Sequence, residues 1–347
     1  MKAVVVNKPG DVQITEIEKP KPNSRDVVAR VLHCGVCATD ISIINGTLNL
    51  YKVAEVQYPV RIGHEWVGEI VEAGSETKRL KPGDVIISDN NYSCGVCEFC
   101  LRGEYYLCRE SRAIGTLGNA WPGAFAEYMI IPERLAFKVP DNVPSDIAAL
   151  VEPASIGLFG LTRAPLGPGS TLLVMGTGAI SMGGMACAKG YGIGKTILAG
   201  RKDSKLEIGK KLGADVLVNM GKEDISSVVM RETNGMGATI VLDATGSPEL
   251  LNTSVSLARD FGCIVLPGFY EQLVSGFAID NAIARNCTII GSAGAQDIQR
   301  RILDLLANGR VDLGPMITHR YPFNQILEAF KAMEKSNDTR CKIMIDF

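Results

Sequence analysis

Four things are scarce in this 347-residue chain, and each scarcity removes a class of function. There is no apolar stretch approaching the length that spans a bilayer, so no membrane role is expected. There is no excess of one charge: 36 Lys and Arg stand against 38 Asp and Glu, a formal net charge of −2. No run of like charges and no basic stripe with interleaved aromatics occurs, which argues against a nucleic-acid partner. The first residues, Met1 to Asn7, read as a short strand entering Pro9-Gly10, without the apolar region of a secretion signal, so a cytoplasmic location is expected. No internal repeat or low-complexity segment interrupts the chain.

What is present is the composition of a globular enzyme, with 46% hydrophobic and 21% charged residues and enough length for two domains. The first half is dense in Val, Ile, Gly and Pro, with short alternating runs at Val27 to Leu32, Trp66 to Ala73 and Val85 to Ser88, the pattern of a β-rich domain with long loops. From about Ile156 apolar strands alternate with helical stretches. Strands are expected at Thr171 to Met175, Thr196 to Ala199, Thr239 to Asp243, Cys263 to Pro267 and Cys287 to Gly291. Helices are expected at Ile180 to Lys189, Ser204 to Leu212 and Pro248 to Ala258. That alternation predicts a parallel sheet. A tail with a helix from Gln296 to Asn308, a helix from Phe323 to Lys335 and a strand from Lys342 to Phe347 could rejoin the first domain. The expected division is therefore 1–155, 156–291 and a return over 292–347.

Ten cysteines are many for such a chain, and four of them cluster. Cys94, Cys97, Cys100 and Cys108 follow one another at spacings of three, three and eight, so one loop can wrap four thiolates around a zinc ion. Protein would fill all four positions, which makes a structural site. The rival readings are an iron–sulfur centre, a disulfide framework and four unliganded thiols; a reducing compartment favours thiolates, and a closed isolated tetrathiolate favours zinc. A second constellation, Cys37-Ala38-Thr39-Asp40 with Gly63-His64-Glu65, offers thiolate, imidazole and carboxylate from separate segments, which suits zinc with an open position. Taken singly, Cys37 reads as a small buried side chain and His64 as a hydrogen-bonding histidine.

Further on, Leu172-Leu173-Val174-Met175 runs into Gly176-x-Gly178 and then a helix beginning Ala179-Ile180, an arrangement that lays a pyrophosphate on N–H groups at a helix start. Ser181 replaces the third glycine of the usual fingerprint. At the end of the next strand, where NAD enzymes place an acid, stands Gly200-Arg201-Lys202: space and two cations, which favour the 2′-phosphate of NADP over NAD. The bland alternative is a pair of solvated charges at a strand end. Thr245, beyond the strand Thr239 to Asp243, is counted with the cofactor-binding residues.

In order along the chain, Cys37-x-Thr39-Asp40, Gly63-His64-Glu65-x-x-Gly68, Lys81-Pro82-Gly83-Asp84, the cysteine quartet and the glycine turn resemble the zinc-containing medium-chain dehydrogenases, the alcohol, sorbitol and threonine dehydrogenase family. The resemblance covers essentially the whole chain. It implies an α/β protein, with a GroES-like β-rich catalytic domain and a Rossmann doubly wound parallel-sheet domain. It places Cys37, His64 and Glu65 in the shell of a catalytic zinc, with Glu152 of Leu150-Val151-Glu152-Pro153 where relatives carry a further ligand, a Glu-Pro of the polyol branch. Asp40 then orients the ligand histidine, and Thr39 takes the substrate proton, with Ser42 or the cofactor ribose and water as the exit. Cys34 is left without a role, and His33 and His319 are read as structural. One thiolate and one carboxylate neutralise a zinc ion, so Glu65 and Glu152 are expected to exchange with water or substrate.

The expected activity is hydride transfer between a CH–OH group of a polyol, sugar or cyclitol and NADP, with NAD possible and with one catalytic and one structural Zn2+. A threonine-type amino-alcohol dehydrogenase or an aldehyde reductase is the near alternative. A non-catalytic zinc-binding interaction protein is the distant one, and intact Cys37, His64 and Glu65 speak against it. A zinc-knuckle nucleic-acid binder lacks the required positive charge. The partner is a small alcohol or carbonyl compound. By resemblance the chain forms a homodimer or homotetramer through the segment near Phe277 to Ala293, and the loops Asn45 to Val56 and Thr116 to Trp121 line the substrate pocket.

Overall fold

A computed structural model describes residues 1–49, 55–116, 120–294, 297–335 and 337–347. Residues 50–54 and 117–119 of the two expected pocket loops, and Gln296 of the expected tail helix, lie outside the described residues. Among those described, no helix is long and apolar enough to cross a membrane.

The parallel sheet grows from apolar runs such as Thr171–Met175, whose residues are almost all buried because helices cover both faces. Its six strands lie in the order Val216–Asn219, Lys195–Gly200, Thr171–Met175, Ala238–Asp243, Ala258–Leu266, Thr288–Gly291. All neighbours are parallel. The order in which strands are added reverses between Thr171–Met175 and Ala238–Asp243, and in such doubly wound sheets ligands bind beyond the carboxyl ends of the strands at that point. The five expected strands and three expected helices are all there, with ends within one residue except that the strand expected from Cys263 begins at Ala258. The edge strand Val216–Asn219, a four-residue run after a glycine turn, is an addition.

The β-rich lobe is organised by the strand Asp26–Val36, which pairs antiparallel with Glu65–Ala73, Tyr128–Pro132 and Lys342–Asp346. Ile317–Pro322, not anticipated from sequence, runs parallel to Lys342–Asp346 on its outer side. Register does the positioning: Gly35 faces Glu65 on one neighbour and Met344 on the other. Three segments far apart in sequence thus meet where the central strand ends and Cys37 begins the next helix, Ala38–Asn45.

Between the lobes runs the helix Val151–Leu161, which spans the expected 155/156 boundary. Its proline and glycines hide it from a propensity reading. Pro153 sits in the first turn, where a missing N–H costs nothing. Gly157 lets the helix Ala179–Gly190 approach: a Cβ there would lie 2.8 Å from the Gly184 Cα. The helix Ile298–Ala307 shares a core with this pair, Ile298 and Ile302 packing into the same cluster as Leu158 and Met182. That cluster also takes in Val67 and Met344 of the β-rich lobe, so apolar packing is continuous beneath the cleft. The final helix, expected over Phe323 to Lys335, is a 3-10 turn, Phe323–Gln325, followed by Ile326–Glu334.

Candidate active site and cofactor cleft

One cavity of about 490 Å3 lies between the lobes and reaches both ends of the expected chemistry. Cys37, Thr39, His64, Glu65 and Glu152 line its β-rich side, and Gly178, Ala179 and Ile180 line the other.

Cys37 caps the helix Ala38–Asn45, and its backbone N–H donates to Asp40 Oδ2 at 2.9 Å. The other oxygen of the fully buried Asp40 faces His64 Nδ1 at 3.5 Å. Burial disfavours protonated His64, but Asp40 and the Cys37 sulfur outweigh it and hold the imidazole pKa well above its usual value. The Cys37 thiol points to the Thr39 hydroxyl at 3.7 Å. His64 arrives through Gly63, whose φ of +99° suits glycine and whose Cβ would strike Phe125 N at 2.7 Å. Glu65 follows at once and is 1% exposed. Ligand atoms of Cys37, His64 and Glu65 all fall within 4.8 Å of one another.

Two residues that sequence reasoning missed hold the carboxylates. Lys342 Nζ, itself buried, donates to Glu65 Oε1 at 2.6 Å and to Val36 O at 3.2 Å. Burial opposes its charge, yet Glu65 and Cys37 raise its pKa above the ordinary lysine value. Glu65 Oε2 is buried with no hydrogen-bond partner. A Cβ on Gly35 would sit 2.1 Å from that oxygen, so only glycine leaves it room. Asn90 Nδ2 donates to Glu152 Oε1, which puts Glu152 on the cavity wall and outside the three-residue cluster. Burial pushes the Glu152 carboxyl up to about 7, with His64 and Lys342 pulling against it. An inward lysine in the apolar run Lys342 to Phe347 was the available signal for the first; Asn90 left none.

The donor set fits zinc on its chemistry. A thiolate, an imidazole and a carboxylate with an unsatisfied oxygen suit a borderline dication, and three protein donors leave a position open. The cysteine quartet is different in kind: Cys94, Cys97, Cys100 and Cys108 also gather within 4.8 Å, Cys94 Sγ lying 3.8 Å from Cys100 Sγ. Among the described residues no other His, Asp or Glu belongs to this group. N–H groups of Val96 and Cys97 point at Cys94 Sγ and draw its pKa down to about 6, while burial raises Cys100 to about 11. All ten cysteines are free thiols.

At the cleft's far end a second cavity, about 370 Å3, holds Gly176, Gly200, Arg201, Lys202 and Thr245. Thr177, Lys205 and Arg340 line both cavities and join them. Gly176 turns the chain with φ +94°, and Gly178 caps the helix Ala179–Gly190, whose first residues line the cleft. Thr245 is tied to Asp243 through its backbone N–H and hydroxyl at 3.0 and 2.6 Å. Gly200 keeps the strand end open, since a Cβ would meet Thr177 Cγ2 at 2.5 Å. Of the two expected cations, Lys202 is paired with Asp338 at 3.0 Å. Lys205 and Arg340, unforeseen from sequence, add positive charge. Ser42 does not line the cleft among the described residues, unlike Thr39. His33 bonds Asp346, and His319 bonds Thr318 and Asn337.

Comparisons with known proteins agree with this geometry. Residues 23–141 match the family model of the alcohol dehydrogenase GroES-like domain, and residues 179–308 that of the zinc-binding dehydrogenase. The chain is 32% identical to D-arabitol-phosphate dehydrogenase of Enterococcus avium, covering 100% of this chain and 97% of that one. It is 30% identical to L-threonine 3-dehydrogenase of Pyrococcus horikoshii, covering 99% of each. A zinc-binding dehydrogenase of Sinorhizobium meliloti 1021 bound to NADP superposes with a TM-score of 0.89 at 28% identity, over 100% of this chain and 99% of that one. An Escherichia coli CFT073 alcohol dehydrogenase complexed with NADH gives the same score, identity and coverage. With both lobes matched, and with relatives aligned from end to end, the chain belongs to the zinc-containing medium-chain alcohol dehydrogenase family.

Proposed function

We propose that the chain transfers a hydride between the CH–OH group of a polyol, sugar or cyclitol and NADP. One observation carries this reading: a single cleft joins the Cys37, His64 and Glu65 cluster to the glycine turn and to a cationic cavity beyond it.

In this reading Cys37, His64 and Glu65 hold a catalytic zinc, Glu152 is a further and exchangeable ligand, and Cys94, Cys97, Cys100 and Cys108 hold a structural one. When bound, the catalytic zinc polarises the substrate oxygen as a Lewis acid, and the nicotinamide takes or returns the hydride. Asp40, facing Nδ1 of His64, fixes the tautomer and leaves the other ring nitrogen for the ion. Lys342 changes the charge balance expected from sequence. Its ammonium offsets Glu65, so the cluster keeps a net positive charge with Glu65 in place and becomes neutral only when Glu152 also joins. The Thr39 hydroxyl, beside Cys37 on the cavity wall, accepts the substrate proton. With Ser42 outside the cleft, the cofactor ribose and water are the better exit.

The polyhydroxy substrate class is supported by a polar stretch of wall, where Asn90, Asn91 and Thr116 line the cleft. A site built to bond a hydroxyl rejects analogues lacking it. The likeness to threonine dehydrogenases keeps an amino-alcohol substrate as the second reading.

Arg201 and Lys205 are the cations free to grip a 2′-phosphate. Metal analysis and fluorescence titration of the zinc-loaded protein should give two zincs per chain and tighter NADP than NAD. Arg201→Ala should weaken NADP about 10- to 100-fold and leave NAD nearly unchanged. One zinc per chain, or tighter NAD, would sink these assignments; turnover of L-threonine and not of polyols would select the second reading. A homodimer or homotetramer through the sheet edge at Thr288–Gly291 is supported by exposed Ile279, Ile283 and Ile289 nearby, and light scattering reads its mass.

A further inference from the structure

Behind the substrate wall lies a separate cavity of about 430 Å3, lined by Gln57 to Arg61, by Ala120 to Pro122, and by Val5 and Ile17. Among the described residues that line it there is one charged side chain and no acid: Arg61, on the short strand Val60–Arg61 that pairs with Lys2–Lys8. The guanidinium is poorly satisfied. Its one side-chain hydrogen bond runs from Nη2 to the Met129 sulfur at 3.7 Å, and a thioether is a weak acceptor. Nε is buried with no partner. Among the described residues no carboxylate pairs with it, and burial lowers its pKa to about 10, so it remains charged at neutral pH. Other polar groups of the wall are engaged. The Tyr58 hydroxyl donates to Ile43 O at 2.7 Å and the Trp121 indole to Ile130 O at 2.9 Å.

A half-buried cation without a counter-ion is poorly solvated, and a guanidinium fork matches the paired oxygens of a phosphate or carboxylate. We propose that this cavity binds a small anion through a phosphate or carboxylate group, held by Nη1 of Arg61, which makes no hydrogen bond among the described residues and is not enclosed, beside Tyr58 and Trp121. The site is distinct from the dinucleotide cleft but shares a wall with it. Trp121 N donates to Ala113 O at 3.0 Å and Gly115 N to Trp121 O at 2.8 Å, while Ala113, Ile114 and Thr116 line the catalytic cavity. An anion on one side therefore steadies the strand whose other side meets the substrate.

The test uses the full chain loaded with zinc and saturated with NADP, so that the cationic cavity at Arg201 is already filled. Inorganic phosphate and acetate are titrated separately against chloride at constant ionic strength. At about ten times its Kd, the bound anion should raise Tm by about 2 °C and change the fluorescence of Trp121. A larger response to phosphate identifies a phosphorylated ligand, and a larger response to acetate a carboxylate. Arg61→Met should melt no lower than the parent without anion, since the uncompensated charge is gone, and should lose both responses. Arg61→Lys keeps the charge without the fork and should bind at least tenfold more weakly, which preserves the test if the methionine variant folds poorly. No response of the parent to either anion, or an equal response in Arg61→Met, would overturn the proposal.

Discussion

Two clusters of metal-binding chemistry sit in the same lobe and are built in opposite ways. Cys94, Cys97, Cys100 and Cys108 come from one loop, and N–H groups of that same loop stabilise the sulfurs. Cys37, His64 and Glu65 come from two strand ends brought into register by the sheet, and the carboxylate is balanced by a lysine 277 residues away. The local cluster is self-sufficient and closed. The assembled one is open to a cleft and depends on the whole fold. In the proposed assignment the closed cluster serves stability, and the open one serves chemistry.

The comparison makes sharp demands. Cys37→Ser should cost the most activity, lowering kcat/KM by about 10^4-fold with Tm nearly unchanged, as steady-state assays and calorimetry would read. Cys97→Ser should do the reverse: about 4 kcal/mol of stability lost in urea unfolding, one zinc lost, and activity per folded molecule largely kept. If Cys97→Ser removed activity at full stability, the distinction between closed and open clusters would fail. A smaller effect sharpens it. Lys342→Met leaves Glu65 buried and unpaired, and should destabilise the zinc-free protein by about 3 kcal/mol, less once zinc offsets the same charge. Equal losses with and without zinc would mean that Lys342 serves packing and not the cluster.

What could be read from the sequence follows the same division. The quartet's spacing is local information, and its four sulfurs do converge. The alternation of strands and helices after Ile156 is also local, and the parallel sheet is there, because buried strands are written as continuous apolar runs. Lys342 was read as the first residue of a strand, and nothing in Lys-Ile-Met-Ile-Asp-Phe says that its ammonium meets Glu65. The hydrogen bond from Asn90 to Glu152 and the acid opposite Lys202 are likewise facts of tertiary contact. Val151–Leu161 was hidden by Pro153, Gly157 and Gly160, residues that weaken an isolated helix and here serve its first turn and its close packing.

The lysine partner of Glu65 also imposes an order of events on the growing polypeptide. Lys342–Asp346 is an inner strand, with Asp26–Val36 on one side and Ile317–Pro322 on the other. At ribosomal speeds, the 277 residues between Glu65 and Lys342 take roughly 14 to 55 s to translate. Throughout that interval the end of Asp26–Val36 is an unpaired sheet edge, and Glu65 has no ammonium to meet it. The lobe translated first is therefore the lobe finished last, and a nascent chain can complete its dehydrogenase centre only after the nucleotide-binding sheet has been synthesised.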